Sequence, residues 1–321
     1  MTLLTALIYM LVGFVLLIWS ADRLVAGASA LARQFGVSVL VVGITIVGFG
    51  TSAPEMMVSA LASLEGNPSL AVGNAIGSNI ANVALILGLT GLVYPMSVDR
   101  STCTREIPLL GVVTVVIALM MADAQFTRFE GMLLALGLAV FIAGMVLRAR
   151  HAGGIDPNTE ALINEIASPM SKSRAIGWTA LSLLVLPVSA SLLVEGAVSM
   201  AGLMGVSEAV IGLTIVALGT SLPELAAAIA SAVRKEDDLC IGNILGSNLF
   251  NLLGVLGIAA LIHPMEIERL LIVRDLPVMA LTLVMLAAMA MIARRIGRLN
   301  ALLLLITYLV YQAAVFHQAL G

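Results

Sequence analysis

The stretch GFGTSAPE, residues 48–55, places the carboxylate of Glu55 directly after Pro54, in one of the most apolar parts of the chain. The segment VLVVGITIV precedes it and the segment MMVSALASL follows it. Residues 217–224 have the sequence ALGTSLPE, with Glu224 in the same setting. Two acids in such surroundings need a physical reason, because a carboxylate buried away from water is unfavourable unless a partner compensates its charge.

The composition indicates a polytopic membrane protein. Of the 321 residues, 60% are hydrophobic and only 11% are charged, whereas soluble domains carry about 25% charged residues. The mean hydropathy is +1.10. Only two lysines occur, so a basic face for nucleic acid is not expected. The two cysteines, Cys103 and Cys240, form neither a metal-binding spacing nor a disulfide framework.

Ten segments are long and apolar enough to cross a bilayer, for which a helix needs about 20 apolar residues. Their approximate bounds are 3–21, 38–63, 69–94, 107–122 and 127–147, then 175–200, 207–233, 239–262, 273–292 and 299–318. The apolar start has no Lys or Arg before Arg23, which favours a first membrane helix over a cleaved signal peptide. We therefore predict an all-α polytopic membrane protein with two five-helix units, 1–147 and 175–321, joined by a polar linker at 148–174.

The basic residues predict the orientation, because cytoplasmic loops collect Lys and Arg. With the N-terminus outside, thirteen basic residues face inward and three face outward. The inward set is Arg23, Arg33, Arg100, Arg105, Arg148, Arg150, Lys172, Arg174, Arg234, Lys235, Arg294, Arg295 and Arg298, and the outward set is Arg128, Arg269 and Arg274. We expect both termini outside and a cytoplasmic linker, in a prokaryotic inner or plasma membrane.

An internal repeat relates the two halves. Residues 36–95 align with 205–264 at a constant offset of 169 without a gap, and 16 of the 48 positions from 48 to 95 are identical. GTSAPE (50–55) matches GTSLPE (219–224), and GNAIGSNIAN (73–82) matches GNILGSNLFN (242–251). Because each unit has an odd number of helices, the second enters the membrane upside down. This predicts an inverted repeat, a plan typical of secondary transporters, which would bring Glu55 and Glu224 face to face.

The chemistry of the repeated motif predicts a cation site. Pro54 and Pro223 lack an amide proton and disrupt the preceding turn, so carbonyls near 48–51 and 217–220 need other partners. Hydroxyls and carboxylates stand beside them, and hard cations such as Ca²⁺ and Na⁺ prefer oxygen ligands. A structural pair of protonated glutamic acids is the alternative. The duplication of each acid behind a Thr-Ser-x-Pro break favours the cation site, since a charge in the membrane otherwise needs a partner.

The second half of each motif adds polar side chains. Ser78 and Asn82 are four residues apart, hence on one helix face, and Ser247 and Asn251 repeat the arrangement. The pairs Gly73–Gly77 and Gly242–Gly246 have G-x-x-x-G spacing, which permits close helix packing. Asn79 and Asn248 are better explained as hydrogen-bonding contacts between helices. Glu65 and Glu195 are expected to be solvated, with Glu195 near an outer vestibule.

These motifs resemble the two α-repeats of the sodium/calcium exchanger family, within the Ca²⁺:cation antiporter superfamily, and are most similar to the compact prokaryotic members. The resemblance covers essentially the whole chain. It implies electrogenic antiport by alternating access, in which several Na⁺ exchange for one Ca²⁺ at competing sites. The first and sixth predicted helices would then form a sliding gating pair.

The resemblance also implies roles for individual residues. Glu55 and Glu224 would bind Ca²⁺ and Na⁺ with the carbonyls of Thr51 and Thr220. One Na⁺ site would use Ser52, Ser247 and the Gly48 carbonyl, and its symmetry mate would use Ser78, Ser221 and the Ala217 carbonyl. Asn82 and Asn251 would flank the centre. No prosthetic group and no obligate protein partner is expected beyond the transported ions and the lipid bilayer.

Two departures from the family pattern stand out. Some prokaryotic exchangers carry an Asp where this chain has Asn251, so the centre here holds two acids rather than three. The linker of about 27 residues is too short for the large regulatory Ca²⁺-binding domains of animal exchangers.

Other function classes are less consistent with the sequence. An H⁺/Ca²⁺ exchanger would use the same carboxylates, and the sequence leaves this alternative open. A passive cation channel is disfavoured by inverted repeats with broken helices. An intramembrane hydrolase is disfavoured because the chain has no H-E-x-x-H motif and no Ser–His pair at membrane depth, so we expect a transporter and not an enzyme.

Overall fold

The computed structural model describes residues 2–66, 68–151, 170–204 and 217–320, and this part of the chain is almost entirely α-helical. The first half contains α1 (Leu3–Phe35), α2 (Val39–Thr51), α3 (Ala53–Leu64), α4 (Ser69–Val93), α5 (Thr102–Asp123) and α6 (Arg128–His151). The second half contains α7 (Lys172–Leu203), α8 (Ala217–Gly219), α9 (Leu222–Val233), α10 (Asp237–Ile262), α11 (Leu271–Ala293) and α12 (Arg298–Leu320).

The helices confirm the membrane-protein class. Within the described residues, eight helices are long and apolar enough to cross a membrane, or nine if the bent pair α2–α3 counts as one span. The predicted span 207–233 lies partly outside the described residues, and its described remainder includes the shorter apolar helix α9. The predicted linker 148–174 is shorter than expected at both ends, because α6 continues to His151 and α7 begins at Lys172.

The first helix is longer than predicted. We expected it to end near residue 21, before the charged residues Asp22 and Arg23, but α1 continues to Phe35. Both charges have partners: Asp22 accepts a hydrogen bond from Arg234, and the Arg23 guanidinium lies 5.1 Å from the centre of the Trp178 ring. Because these side chains are compensated, the backbone stays helical until Gly36, whose φ of 64° ends the helix.

The predicted helix breaks occur where the motifs place them. The axes of α2 and α3 differ by 43° around Ser52, whose φ and ψ are −84° and 1°. Ser221 has nearly the same conformation, −88° and 3°, directly before α9. Each break precedes a proline in the first turn of the next helix, where its missing N–H costs nothing. The two motifs therefore present Glu55 and Glu224 from the first turns of α3 and α9.

Helices α1 and α7 pack backbone to backbone. A Cβ atom added at Gly13 would lie 2.6 Å from the Leu193 nitrogen, and one at Gly196 would lie 2.8 Å from the Ala6 carbonyl oxygen. Only glycine fits at these two crossings. The pair packs through the core residues Leu17, Ala21 and Leu24 of α1 and Leu186 of α7.

Four two-residue strands define the two ends of the helix bundle: β1 (Met96–Ser97), β2 (Gln125–Phe126), β3 (Met265–Glu266) and β4 (Arg295–Ile296). Strand β1 pairs with β4, and β2 pairs with β3, both antiparallel. Strands β1 and β2 flank the 22-residue helix α5, so they lie at opposite ends of the bundle. Strand β3 occupies the position in the sequence repeat that is equivalent to β1. Because β3 pairs with β2, β1 and β3 also lie at opposite ends of the bundle.

Candidate cation site

The two motif carboxylates are buried close together. Glu55 and Glu224 are each only 1% exposed, and they are near enough to interact electrostatically. The Ser52 hydroxyl donates to Glu224 Oε1 at 3.3 Å, so an atom of the first motif contacts the acid of the second. Oε2 of Glu55 and Oε2 of Glu224 are buried without a hydrogen-bond partner.

Further hydrogen bonds between the halves surround the acids. The Thr51 hydroxyl lies 3.3 Å from the Ser247 hydroxyl and donates to Asn243 Oδ1 at 3.1 Å. The Ser247 hydroxyl donates to the Gly48 carbonyl at 3.4 Å. This carbonyl also accepts a hydrogen bond from the Ser52 amide at 3.1 Å. Our prediction that the break frees the Gly48 carbonyl from helical bonding is therefore wrong. These contacts hold α2 of the first half against α10 of the second.

The amides of α4 and α10 meet across the two halves. Asn82 donates through Nδ2 to Asn248 Oδ1 at 3.0 Å, while its own Oδ1 has no partner. Asn251 is fully buried, and both of its amide atoms are without a partner. Asn79 is also buried, and neither its amide oxygen nor its amide nitrogen has a hydrogen-bond partner. Buried polar atoms are nearly always hydrogen-bonded, so these partnerless amide atoms are available to a ligand or to water.

Two π-helical segments, Ala81–Ile86 and Phe250–Val255, carry Asn82 and Asn251. They occupy equivalent positions at the offset of 169. Single π-helical turns inside α-helices are frequent at functional sites. The sequence could not reveal them, because the composition of a π turn does not distinguish it from an α-helical turn.

The remaining predicted site residues are Ser78, Ser221, Thr220 and Ala217. Ser78 is buried on α4, and Ser221 is buried with a hydroxyl that has no partner. Thr220 is partly exposed and lines a groove of about 680 Å³ that also contains Glu195. Ala217 is the first residue of α8, and the segment before it lies outside the described residues. Among the described residues, hydrogen bonds thus join Ser52, Thr51 and Gly48 of the first motif to the second half.

Basic side chains do not compensate the two acids in the described part of the chain. The ion pairs found there are Arg33–Glu236, Arg148–Glu106, Arg234–Asp22 and Arg274–Asp275. The described residues also contain no group of three or more His, Cys, Asp or Glu side chains that could hold a metal. A cation between Glu55 and Glu224 would therefore complete its ligands with hydroxyl, amide and carbonyl oxygens, which suits Na⁺ and Ca²⁺.

Close glycine packing is confirmed for one of the two predicted pairs. A Cβ at Gly246 would lie 2.3 Å from the Ile44 carbonyl oxygen, and one at Gly242 would lie 2.7 Å from the Leu40 carbonyl oxygen. Helix α10 is therefore pressed against the backbone of α2. Gly73 and Gly77 make no contact of this kind among the described residues.

Sequence reasoning missed two asparagines that support the site. Asn74 donates to the Glu55 carbonyl at 3.2 Å and to the Ser59 hydroxyl at 2.9 Å. Its equivalent, Asn243, is fully buried and accepts from Thr51. Both belong to the repeated Gly-Asn dipeptide, and their identity in the two halves was a signal that could have found them.

A second pair of buried acids was also missed. Glu106 is 5% exposed and Asp275 is 2% exposed, and they are 169 residues apart. Arg148 pairs with Glu106 at 3.2 Å, and Arg274 pairs with Asp275 at 2.7 Å. Since these acids have basic partners, they differ from Glu55 and Glu224, for which the described residues provide none.

Comparisons with known proteins identify the family of the chain. The family model described as sodium/calcium exchanger protein matches residues 5–147 and 174–317. The chain is 46% identical over 317 residues to the putative antiporter CaxA of Alkalimonas amylolytica, covering 98% of this chain and 99% of that protein. It is 43% identical over 289 residues to the inner membrane protein YrbG of Escherichia coli (strain K12), covering 89% and 88% respectively.

Solved structures show the same fold. The sodium-calcium exchanger NCX_Mj, soaked with zero Na⁺ and Ca²⁺, matches with a TM-score of 0.84 at 30% identity, over 98% of this chain and 100% of that one. The family is one of membrane antiporters that transport Na⁺ and Ca²⁺ as substrates. The resemblance inferred from the repeated motifs is thereby confirmed: the chain belongs to the sodium/calcium exchanger family, with the compact architecture of its prokaryotic members.

Proposed function

We propose that this antiporter exchanges Na⁺ for Ca²⁺ by alternating access, with the ions bound between Glu55 and Glu224. The observation that carries the proposal is the pair of buried carboxylates, one from each half, in contact through Ser52 and without a basic partner among the described residues. Two carboxylates neutralise one divalent cation, and the surrounding oxygens match the preference of hard cations.

The proposed architecture has ten membrane helices in two inverted five-helix repeats, 1–147 and 175–321, with the linker 148–174 between them. The cross-pairing of β1 with β4 and of β2 with β3 supports it, because equivalent strands lie at opposite ends. The two separate blocks of the family match support it as well. The excess of Lys and Arg in the assigned inner loops favours external termini and a cytoplasmic linker, in a prokaryotic inner membrane.

Within this architecture the ligands divide by symmetry. Glu55 and Glu224 would bind either ion together with the carbonyls of Thr51 and Thr220. One Na⁺ site would use Ser52, Ser247 and the Gly48 carbonyl, and its mate would use Ser78, Ser221 and the Ala217 carbonyl. Asn82 and Asn251 would flank the centre, and their partnerless amide oxygens support this position.

Coupling would follow from the cost of bare charge. An uncompensated charge at the membrane centre costs at least about 2.5–3 kcal/mol on insertion scales. With two buried carboxylates and no arginine beside them among the described residues, the carrier would reorient only when cations compensate both charges. Exchange of Na⁺ for Ca²⁺ then needs no separate gate signal, since either set of ions satisfies the same acids.

The test is Ca²⁺ uptake into proteoliposomes under separately imposed gradients. An outward Na⁺ gradient at equal pH is expected to drive concentrative Ca²⁺ uptake, and a pH gradient without Na⁺ is expected to drive none. Uptake driven by the pH gradient alone would instead identify an H⁺/Ca²⁺ exchanger that uses the same carboxylates. Net Ca²⁺ flux without any counter-ion would identify a channel.

The contact between Thr51 and Asn243 provides a further prediction. Asn243→Ala is expected to raise the half-saturating Ca²⁺ concentration about three- to tenfold, because a net hydrogen bond contributes about 0.5–1.5 kcal/mol. The reason is that Thr51 loses the acceptor that fixes its position beside Ser247. The Ca²⁺ dependence of uptake measures this shift. Asn300→Ala, which removes an exposed hydrogen bond at the start of α12, is the control, and equal effects of the two variants would refute the role of Asn243.

A further inference from the structure

Two ion pairs attach α1 to the turn between α9 and α10. Asp22 Oδ1 accepts from Arg234 at 2.7 Å through Nε and at 2.6 Å through a terminal nitrogen. Arg33, eleven residues nearer the C-terminal end of α1, contacts Glu236 Oε1 at 3.1 Å. The turn lies at the β1–β4 end of the bundle, because Asp237 accepts the amide and the hydroxyl of Ser97.

The equivalent positions in the other half do not carry the same charges, although one backbone feature recurs there. Gly66 and Lys235, which are 169 residues apart, both have positive φ angles, 77° and 59°. The residues equivalent to Asp22 and Arg234 are Ser191 and Glu65, and those equivalent to Arg33 and Glu236 are Gly202 and Asn67. Neither equivalent pair can form an ion pair. The sequence therefore provides this attachment at one end of the pseudo-symmetric carrier only.

The packing of the helices is asymmetric in the same sense. Val58 on α3 is 37% exposed, whereas its equivalent on α9, Ala227, is 0% exposed and packs in the same core as Ala21 and Leu24 of α1. The groove of about 680 Å³ between α7 and α3 extends from Val58 to Thr220. The equivalent groove between α1 and α9 is smaller, about 460 Å³. The structure is thus more closed between α1 and α9 than between α7 and α3.

We propose that the pairs Asp22–Arg234 and Arg33–Glu236 form an ionic latch that holds α1 against α9 and biases the carrier towards the state closed at the β1–β4 end. The proposal rests on the alternating-access exchange proposed above, whose topology places this end in the cytoplasm. An exposed ion pair shifts an equilibrium by about two- to fivefold. The latch therefore sets the ratio of the two states without blocking their exchange.

The most sensitive test measures the minor state of the carrier, in which the β1–β4 end is open. A two- to fivefold shift of the equilibrium changes the population of the minor state by the same factor, but it changes the population of the dominant state little. The reporter is Ala227→Cys in a chain with Cys103→Ala and Cys240→Ala, reconstituted in nanodiscs and labelled with a water-soluble maleimide. Cys at this position is buried under α1 in the latched state. Asp22→Asn and Arg234→Gln are each expected to raise the labelling rate about two- to fivefold, and the double variant no more than either single one.

Three further variants separate the latch from general loosening. Exchanging the charges, Asp22→Arg with Arg234→Asp, is expected to restore the slow labelling. Glu65→Gln, at the position equivalent to Arg234, is expected to change nothing. Installing the mirror pair, Ser191→Asp with Glu65→Arg, is expected to raise the labelling of the reporter, because it favours closure between α7 and α3.

The outcome that overturns the latch is unchanged reporter labelling in both Asp22→Asn and Arg234→Gln. A rise that charge exchange does not reverse, accompanied by faster labelling of the buried Cys103 and Cys240 in chains without the reporter, also overturns it. Labelling needs no ion gradient. A chain that shows charge-dependent labelling but no Na⁺-driven Ca²⁺ uptake would refute the proposed function and leave the latch intact.

Discussion

Replacement of Glu224 by glutamine is expected to reduce Na⁺-driven Ca²⁺ uptake at least about a hundredfold, and Glu55→Gln is expected to do the same. Each substitution keeps the shape of the side chain and removes one of two buried charges. The loss of one partner from a buried ion pair costs about 3–5 kcal/mol, and 1.4 kcal/mol corresponds to about a factor of ten in affinity. Uptake of radioactive Ca²⁺ into Na⁺-loaded proteoliposomes measures the effect.

Stability measurements distinguish this loss from misfolding. Without Ca²⁺ and Na⁺, Glu224→Gln is expected to unfold at the same temperature as the parent chain or higher, because a buried charge has been removed. In the parent chain, Ca²⁺ at about 100 times its dissociation constant is expected to stabilise the folded state by about 2.7 kcal/mol. The variant should lose this stabilisation. Glu65→Gln, in the turn after α3, is the matched control and should behave like the parent chain.

Wild-type exchange rates in both Glu55→Gln and Glu224→Gln would show that the site assignment is wrong. A large loss in one variant with none in the other would contradict the symmetric arrangement, in which both acids face the same ion. Loss of uptake together with a retained Ca²⁺-dependent rise in unfolding temperature would place the binding site elsewhere.

Gly246→Ala is the second substitution for which we expect a large effect. The added Cβ would lie 2.3 Å from the Ile44 carbonyl oxygen and 2.7 Å from the Ile44 Cα, both backbone atoms that no side-chain rotation can move. Overpacking of this kind costs about 1–3 kcal/mol, and we expect the upper end of this range. The forced separation of α2 from α10 would also displace Thr51 from Ser247, whose hydroxyls are 3.3 Å apart.

The thermal unfolding temperature and the Ca²⁺ uptake of Gly246→Ala are both expected to fall. Gly177→Ala, on α7, serves as the control, because a Cβ there meets no atom within 4 Å. That substitution should leave uptake unchanged and stabilise the helix slightly, since alanine is favoured over glycine in helices by about 0.5–1 kcal/mol. A Gly246→Ala chain with the parent's stability and uptake would show that the close crossing is not required.

The sequence predicted those parts of the molecule that depend on local chemistry. Proline and glycine break helices through their own backbones, so the interruptions at Ser52 and Ser221 were predictable from the repeated motifs. The presence of buried carboxylates followed from their apolar neighbours. The duplication itself predicted that the two motifs would meet, and Ser52 does contact Glu224.

Features that depend on partners distant in sequence were not predictable. Asp22 and Arg23 resembled the end of a membrane helix, and only their contacts with Arg234 and Trp178 explain why α1 continues. The π-helical turns at Asn82 and Asn251 have no local signature.

Glu106 and Asp275, by contrast, could have been found from the sequence by extending the repeat beyond residue 95. Both acids stand two residues before a proline at the same offset of 169.

The location of a bound cation tests the central claim most directly. Anomalous diffraction from crystals soaked in Sr²⁺, a heavier analogue of Ca²⁺, would locate it. We predict one site whose ligands include carboxylate oxygens of both Glu55 and Glu224, at a distance slightly longer than the roughly 2.3–2.6 Å typical of Ca²⁺. Density coordinated by only one of these acids, or found beside Glu106 or Asp275 instead, would contradict it.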